Sequence, residues 1–155
     1  ITIKDQIELK KVYFDSIQSL DEKIYSEKQK RAWSSQAWDN SNFDKSLIKG
    51  KGWLISEKGI IIAFASRYPN NRIALFYCKS KFQRKGYGSK LLHKVEEEAK
   101  KEGLDSLSTE ASLISYQLFL KKEWKIIRKE KVIINNILFE RYKMIKTIKN
   151  QIINK

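Results

Sequence analysis

The chain has 155 residues, 41% of them hydrophobic, which suits one domain with an adequate core. Its longest apolar run, about residues 59–65, is far too short for a membrane span, and one histidine with one cysteine excludes a metal-ligand cluster and an internal disulfide. Lys and Arg number 32 against 18 Asp and Glu, for a net charge of +14 spread along the chain; this reads as lysine-rich composition with some potential to draw in an anionic ligand, not as a specific nucleic-acid site. The lone Cys78 fits a reducing, cytoplasmic setting. Residues 1–3 read as the end of a first strand. Residues 4–20 follow with a helical spacing of Ile7, Val12, Ile17 and Leu20, and with Asp5 as cap. Ser26-Glu27-Lys28-Gln29 is a capping box that opens a short helix toward Trp38. Residues 39–52 are polar and read as loop, with a helical turn near 42–49.

The character then changes. Residues 53–56 and 60–68 are β-rich and joined by Glu57-Lys58-Gly59, a hairpin signal. Tyr68-Pro69-Asn70-Asn71 marks a turn before a strand over 72–78. A helix is expected over 86–102 with the stripe Leu91, Leu92, Val95 and Ala99, then a strand over 104–110 and a helix over 112–122. Strands over 124–134 and 137–146 meet at Asn135-Asn136, a two-residue hairpin turn. Residues 1–146 therefore read as one α+β domain, and 147–155 as a tail without a clear role.

Residues 82–92, FQRKGYGSKLL, carry the strongest chemical signal. A strand, a short basic loop, Gly86, Gly88 and a helix in that order build a backbone cradle for an anion. Free N–H groups of the first helical turn converge there, the helix dipole adds positive potential, and Arg84 and Lys85 add full charges. The spacing is not that of a nucleoside-triphosphate loop. Nor is it a dinucleotide fingerprint, since Leu91 stands where a third glycine would be needed.

The remaining pattern, Q-x-x-G-x-G between a strand and a helix, closely resembles motif A of the GNAT acyl-coenzyme A N-acetyltransferases. The order β-αα-βββ-α-β-α-ββ is similar to that family over nearly the whole chain. The resemblance implies a central mixed, mostly antiparallel sheet flanked by helices. It implies that Gln83, Arg84, Lys85, Gly86, Tyr87, Gly88 and Ser89 grip the pyrophosphate of acetyl-CoA, and that the strand at Phe76, Tyr77 and Cys78 pairs with the pantetheine arm. Tyr25-Ser26-Glu27-Lys28-Gln29 with Ala32-Trp33, Glu110-Ala111-Ser112 and the terminal Arg141-Tyr142-Lys143-Met144 resemble segments of the YafP-type acetyltransferases.

The family pattern N-x-x-A-x-x-F-Y maps onto Ser112, Ser115, Leu118 and Phe119. Ser112 thus stands for an asparagine that contacts the cofactor, and a hydroxyl still offers one such hydrogen bond. Phe119 stands where many members carry a tyrosine that protonates the leaving thiolate, and phenylalanine donates no proton. Tyr116 is the fallback acid or a packing residue.

Acetyl transfer to an amine needs a free base, donors for the acyl oxygen and a good leaving group. Glu110, ending a strand beside the expected cleft, is the candidate base; a salt-bridged structural carboxylate is the equal alternative. A nucleophilic Cys78 lacks a nearby base, and His93 reads as a surface helix residue. Tyr25, Trp33, Trp38 and Tyr68 form an aromatic acceptor pocket or simply core. The expected activity is N-acetyl transfer from acetyl-CoA to a primary amine of a small molecule or peptide by direct attack, with no metal, no membrane and an open possibility of a homodimer. A non-catalytic coenzyme A sensor is the alternative that Phe119 favours, and a basic nucleic-acid binder ranks below both.

Overall fold

The computed structural model describes residues 2–148. It opens on a helix rather than a strand. The Thr2 hydroxyl accepts from Asp5 N–H, and the Asp5 carboxylate accepts from Thr2 N–H at 2.7 Å, so a capping box starts α1 (Ile3–Gln18). The strand expected at 1–3 is thereby corrected for Thr2 and Ile3: two reciprocal cap bonds outweigh the β-preference of one isoleucine, and Ile1 lies outside the described residues. Asp5 is the third helical position of that box, not the cap itself. Leu9, Val12, Tyr13 and Ile17 form the buried stripe.

Ser26 and Gln29 form the expected capping box of α2 (Glu27–Ser34). Two short helices follow, α3 (Gln36–Asp39) and α4 (Ser41–Ile48). The loop expected here is largely helical. The Asn40 side chain accepts from Asn42 N–H at 2.8 Å to start α4, and Phe43 and Leu47, four residues apart, bury one narrow face.

The strands are β1 (Lys51–Glu57), β2 (Ile60–Arg67) and β3 (Arg72–Cys78), then α5 (Tyr87–Lys101), β4 (Ser106–Ala111), α6 (Tyr116–Lys121), β5 (Lys125–Ile134) and β6 (Ile137–Thr147). The β1–β2 and β5–β6 hairpins each turn through two left-handed residues, Lys58-Gly59 and Asn135-Asn136, which match the strand twist. The helix expected from Ser112 starts only at Tyr116. Ser112 Oγ instead accepts from Ile114 and Ser115 N–H, while Ser115 Oγ accepts from Ser112 N–H, so serine hydroxyls hold 112–115 as a turn.

The six strands lie in the order β1-β2-β3-β4-β6-β5, and every neighbouring pair is antiparallel except β3 with β4. On one face α5 packs Leu91, Leu92, Val95 and Ala99 against Ala63, Leu107 and Met144. On the other, α1 and α4 pack Leu9, Val12, Phe43 and Leu47 against Phe64 and Leu75. Thr147 completes β6, and buried Ile148 donates its N–H to Asp105 O at 2.8 Å, so the expected tail begins as core; 149–155 lie outside the described residues. Among the described residues no helix is long and apolar enough to cross a membrane.

The Ser26 cap orients the segment that carries Tyr25 and Trp33. Ser26→Ala should cost about 1 kcal/mol of stability, read by chemical denaturation at neutral pH.

Candidate active site

β3 and β4 share only the register Arg72 with Ser108 and Ile73 with Thr109, then part. The buried Thr109 hydroxyl donates to Ile73 O at 2.9 Å at the closed end. Beyond it opens a cleft of about 350 Å³, lined on its β3 side by residues 72–78 and on its β4 side by residues 109–112. Lys79 N–H donates to Ile62 O at 2.8 Å, toward β2. Strand alternation then turns the backbone of Tyr77 toward β2, and that of Phe76 and Cys78 into the gap. The Cys78 carbonyl accepts from Gln83 Nε2 at 3.1 Å, which ties the strand end to the following loop.

That loop is a 3-10 turn, Ser80–Phe82, leading into α5. Arg84 (φ 61°) and Gly86 (φ 87°) are left-handed, and Gly86 caps the helix without any side-chain bond. The helices α1, α2 and α4 all fill their N-termini with side-chain oxygens; α5, fifteen residues long, does not. Its first-turn N–H groups therefore stay available. A Cβ at Gly88 would lie 3.1 Å from Leu118 and 3.9 Å from Phe76, so glycine there keeps the cleft wall thin. Gln83, Arg84 and Gly88 line the cleft itself. Lys85 lies over the Phe82 ring at 5.8 Å, Tyr87 donates its hydroxyl to Glu57, and Ser89 faces a separate small surface pocket with His93.

Phe119 is buried in the cleft wall, 5.6 Å from the Phe76 ring and 4.9 Å edge-on to Trp124. No hydroxyl occupies that position. Tyr116 is not among the residues that line the cleft; its ring packs on Tyr142 at 4.5 Å. On the opposite wall Tyr25, Trp33 and Phe139 form an aromatic cluster. The Tyr25 hydroxyl accepts from Leu113 N–H at 2.8 Å, and burial, partly offset by bonds to Leu113 and Ser112, raises its pKa. Burial likewise pushes the Tyr77 phenol up to about 12, against a bond from Trp33. Burial, with the Asp15 charge, pushes the Cys78 thiol up to about 11, which disfavours the nucleophilic thiolate.

Glu110 lines the cleft, but its carboxylate is occupied. Arg72 donates through Nε at 2.9 Å, with Nη2 2.7 Å from the same carboxylate oxygen, and Lys143 donates through Nζ at 3.0 Å. Burial alone would raise its pKa; the bonds and charges of Arg72 and Lys143 outweigh that and hold it below the usual range. The carboxylate expected as a base is in this structure the ion-paired one, ionised and weakly basic.

Of the expected aromatic acceptor residues, Tyr25 and Trp33 reach the cleft. Trp38 is 56% exposed and packs edge-on to Phe14, and Tyr68 sits at the β2–β3 turn, its carbonyl accepting from Arg72 Nη1 at 2.9 Å. Arg72, Thr109, Phe139 and Arg141 also line the cleft, and sequence reasoning assigned none of them. Arg72 carried a signal, a charge opening an apolar strand; the others depend on cross-strand register.

The family described as acetyltransferase (GNAT) domain matches residues 21–146. The chain belongs to the GNAT acetyltransferase family. Among solved structures, it is similar to a GCN5-related N-acetyltransferase from Rhodopseudomonas palustris, with 24% identity, a TM-score of 0.89 and coverage of 95% of this chain and 92% of that one. The PaiA N-acetyltransferase of Thermoplasma acidophilum, solved with coenzyme A, matches at 18% identity and TM-score 0.76, covering 95% of each chain. The YncA protein of Salmonella typhimurium, solved with its cofactor acetyl-CoA, matches at 14% identity and TM-score 0.66, covering 100% of this chain and 95% of that one. A comparison with curated protein sequences gave no match.

Because the folded pKa of Glu110 is depressed, its ion pairs stabilise the fold above the ordinary value of 4.5 and lose that contribution as pH falls through the folded value. Glu110→Gln should cost roughly 1–3 kcal/mol at pH 7, since it leaves two partly buried cations without a counter-charge. The gap from wild type should narrow at pH values well below 4.5, as followed by urea titration.

Proposed function

We propose that the chain is an acetyl-CoA-dependent N-acetyltransferase acting on a primary amine by direct attack in a ternary complex. The observation that carries this reading is the parting of β3 from β4, which exposes the backbone of Phe76 and Cys78 beside an uncapped helix N-terminus. The coenzyme fits these residues by shape and by charge. Gly88 leaves room at the wall, and the N–H groups of Tyr87, Gly88 and Ser89, with Arg84, suit a pyrophosphate. The β3 edge offers a donor and acceptor ladder to an amide-bearing arm. When bound, acetyl-CoA supplies the activated acetyl thioester.

The chain's own groups then have distinct tasks. The N–H groups of Phe76 and Cys78 are preorganised donors for charge that develops on an acyl oxygen. Tyr25, Trp33 and Phe139 exclude water from the acceptor side. Releasing the proton of a lysine-like amine costs about 5 kcal/mol at pH 7. Glu110 is held ionised, and its charge is more than matched by Arg72 and Lys143, so it positions those cations rather than serving as a strong proton acceptor. Thiolate departure proceeds without a hydroxyl at Phe119, because a thiol pKa near ~8.5 makes it a good leaving group. The segments around Tyr25, Ala111 and Tyr142 support a place near the YafP-type members, and the lone Cys78 supports a reducing compartment.

A second reading, a coenzyme A sensor without turnover, is favoured by buried Phe119 and clamped Glu110. A turnover assay over amines and peptides separates the two: coenzyme A binding with no acetylated product would leave the sensor.

Gly88→Val should weaken coenzyme A binding by roughly tenfold or more, since its branched side chain intrudes on the cradle. Isothermal titration on variant protein with a native circular dichroism spectrum provides the check. Phe119→Tyr should raise the turnover rate less than about tenfold, thiolate departure being the easier step. A larger gain would make departure the slow step.

A further inference from the structure

The sheet face opposite α5 carries an ion-pair ladder across four strands. Glu110 on β4 stands opposite Lys143 on β6, Lys143 opposite Arg128 on β5, and Arg141 opposite Glu130. Glu110 is shared by Arg72 and Lys143. Glu130 is shared by Arg141, at 3.1 Å, and Arg128, at 2.8 Å. Four cations therefore meet two carboxylates. The imbalance lies on an open surface: the side chains of Arg72 and Arg141 are each 35% exposed, Lys143 24% and Arg128 59%.

The ladder runs into the cleft, because Arg72, Glu110 and Arg141 all line it; Glu140 lines it as well, with its carboxylate paired to Lys129 at 2.9 Å. Arg141 binds Glu130 only through Nε, and among the described residues its two terminal nitrogens have no partner. That leaves a planar pair of donors at a residue that lines the cleft, and such a fork recognises a carboxylate. Phe139, two residues away on β6, joins Tyr25 and Trp33 as an apolar wall beside the fork. A nucleic-acid backbone would meet Glu110 and Glu130 between the cations.

We propose that the acceptor amine carries carboxylate groups and that Arg141, backed by Lys143 and Arg128, binds one of them. The amine part rests on the proposed acetyl transfer; carboxylate recognition stands without it. The chemistry is shared by a free acidic amino acid and an acidic peptide.

The test uses the full chain without coenzyme A. Fluorescence anisotropy compares a labelled peptide with a free amino terminus and a run of Glu and Asp against its Gln and Asn counterpart. The acidic peptide should bind about tenfold or more tightly. Arg141→Gln should abolish the preference, and Arg141→Lys should restore only part of it, since an ammonium has no fork. The Gln variant should fold, because Arg128 still holds Glu130; Arg128→Gln, farther from the cleft, should reduce the preference less and serves as the second variant. Competition by free glutamate assigns the site to a small acceptor, and failure to compete assigns it to a peptide. Equal affinity for both peptides, a preference unchanged in Arg141→Gln, or preferential binding of duplex DNA at the same site overturns the proposal. Where turnover is found, Arg141→Gln should raise KM for the acidic acceptor about tenfold with kcat nearly unchanged. Retained acidic preference with no turnover would fail the acetyl-transfer reading and leave this one standing.

Discussion

The two-residue contact between β3 and β4 is the constraint on which the site depends. Each strand is secured on its far side. β4 pairs with β6 along its whole length, from Ser106 to Ala111, and β3 pairs with β2 from Ile73 to Cys78. The sheet is thus two self-sufficient halves hinged at Arg72 and Ile73. Backbone groups that a continuous sheet would consume instead face a solvated gap, where a ligand can satisfy them. The separation does not unravel, because α5 packs across β1, β2 and β3 on one face and its core continues to Leu107 and Met144 beyond the gap.

Charge closes the gap on its other face. Arg72 on β3 and Lys143 on β6 both hold Glu110 on β4, so one carboxylate ties three strands together near the hinge. This arrangement sets the chemistry as well as the shape. Two cations keep Glu110 ionised and weakly basic, and leave the cluster with a net positive charge. The phenols of Tyr25 and Tyr77 are driven the opposite way by burial, and stay neutral beside it. The cleft therefore combines a carboxylate held between cations, neutral aromatic walls and a positive mouth at Arg84 and the α5 N-terminus.

Much of the fold was legible because its signals are local. The Ser26 capping box, the Asn135-Asn136 turn and the stripe of α5 need only residues a few positions apart, and the structure carries all three. The errors came where local signals were thin or competed. Thr2 and Asp5 form a cap that overrides a short β-prone run, α4 buries only Phe43, Ser46 and Leu47, and Ser112 and Ser115 spend their hydroxyls on a turn that delays α6. The loop at Gln83–Gly88 was readable because a strand end, two glycines and a helix start lie within one short segment.

Sequence by itself determined the α+β class, the loop that suits a phosphate and the absence of a hydroxyl at Phe119. These are properties of residue type and near spacing. Tertiary structure decided what Glu110 is. Its partners Arg72 and Lys143 lie 38 and 33 residues away, and only the parallel register of β3 with β4 and the antiparallel register of β4 with β6 bring them to it. It also decided that Trp38 packs on α1 while Phe139 and Arg141 face the cleft, because strand pairing, not chain proximity, selects which side chains share a wall.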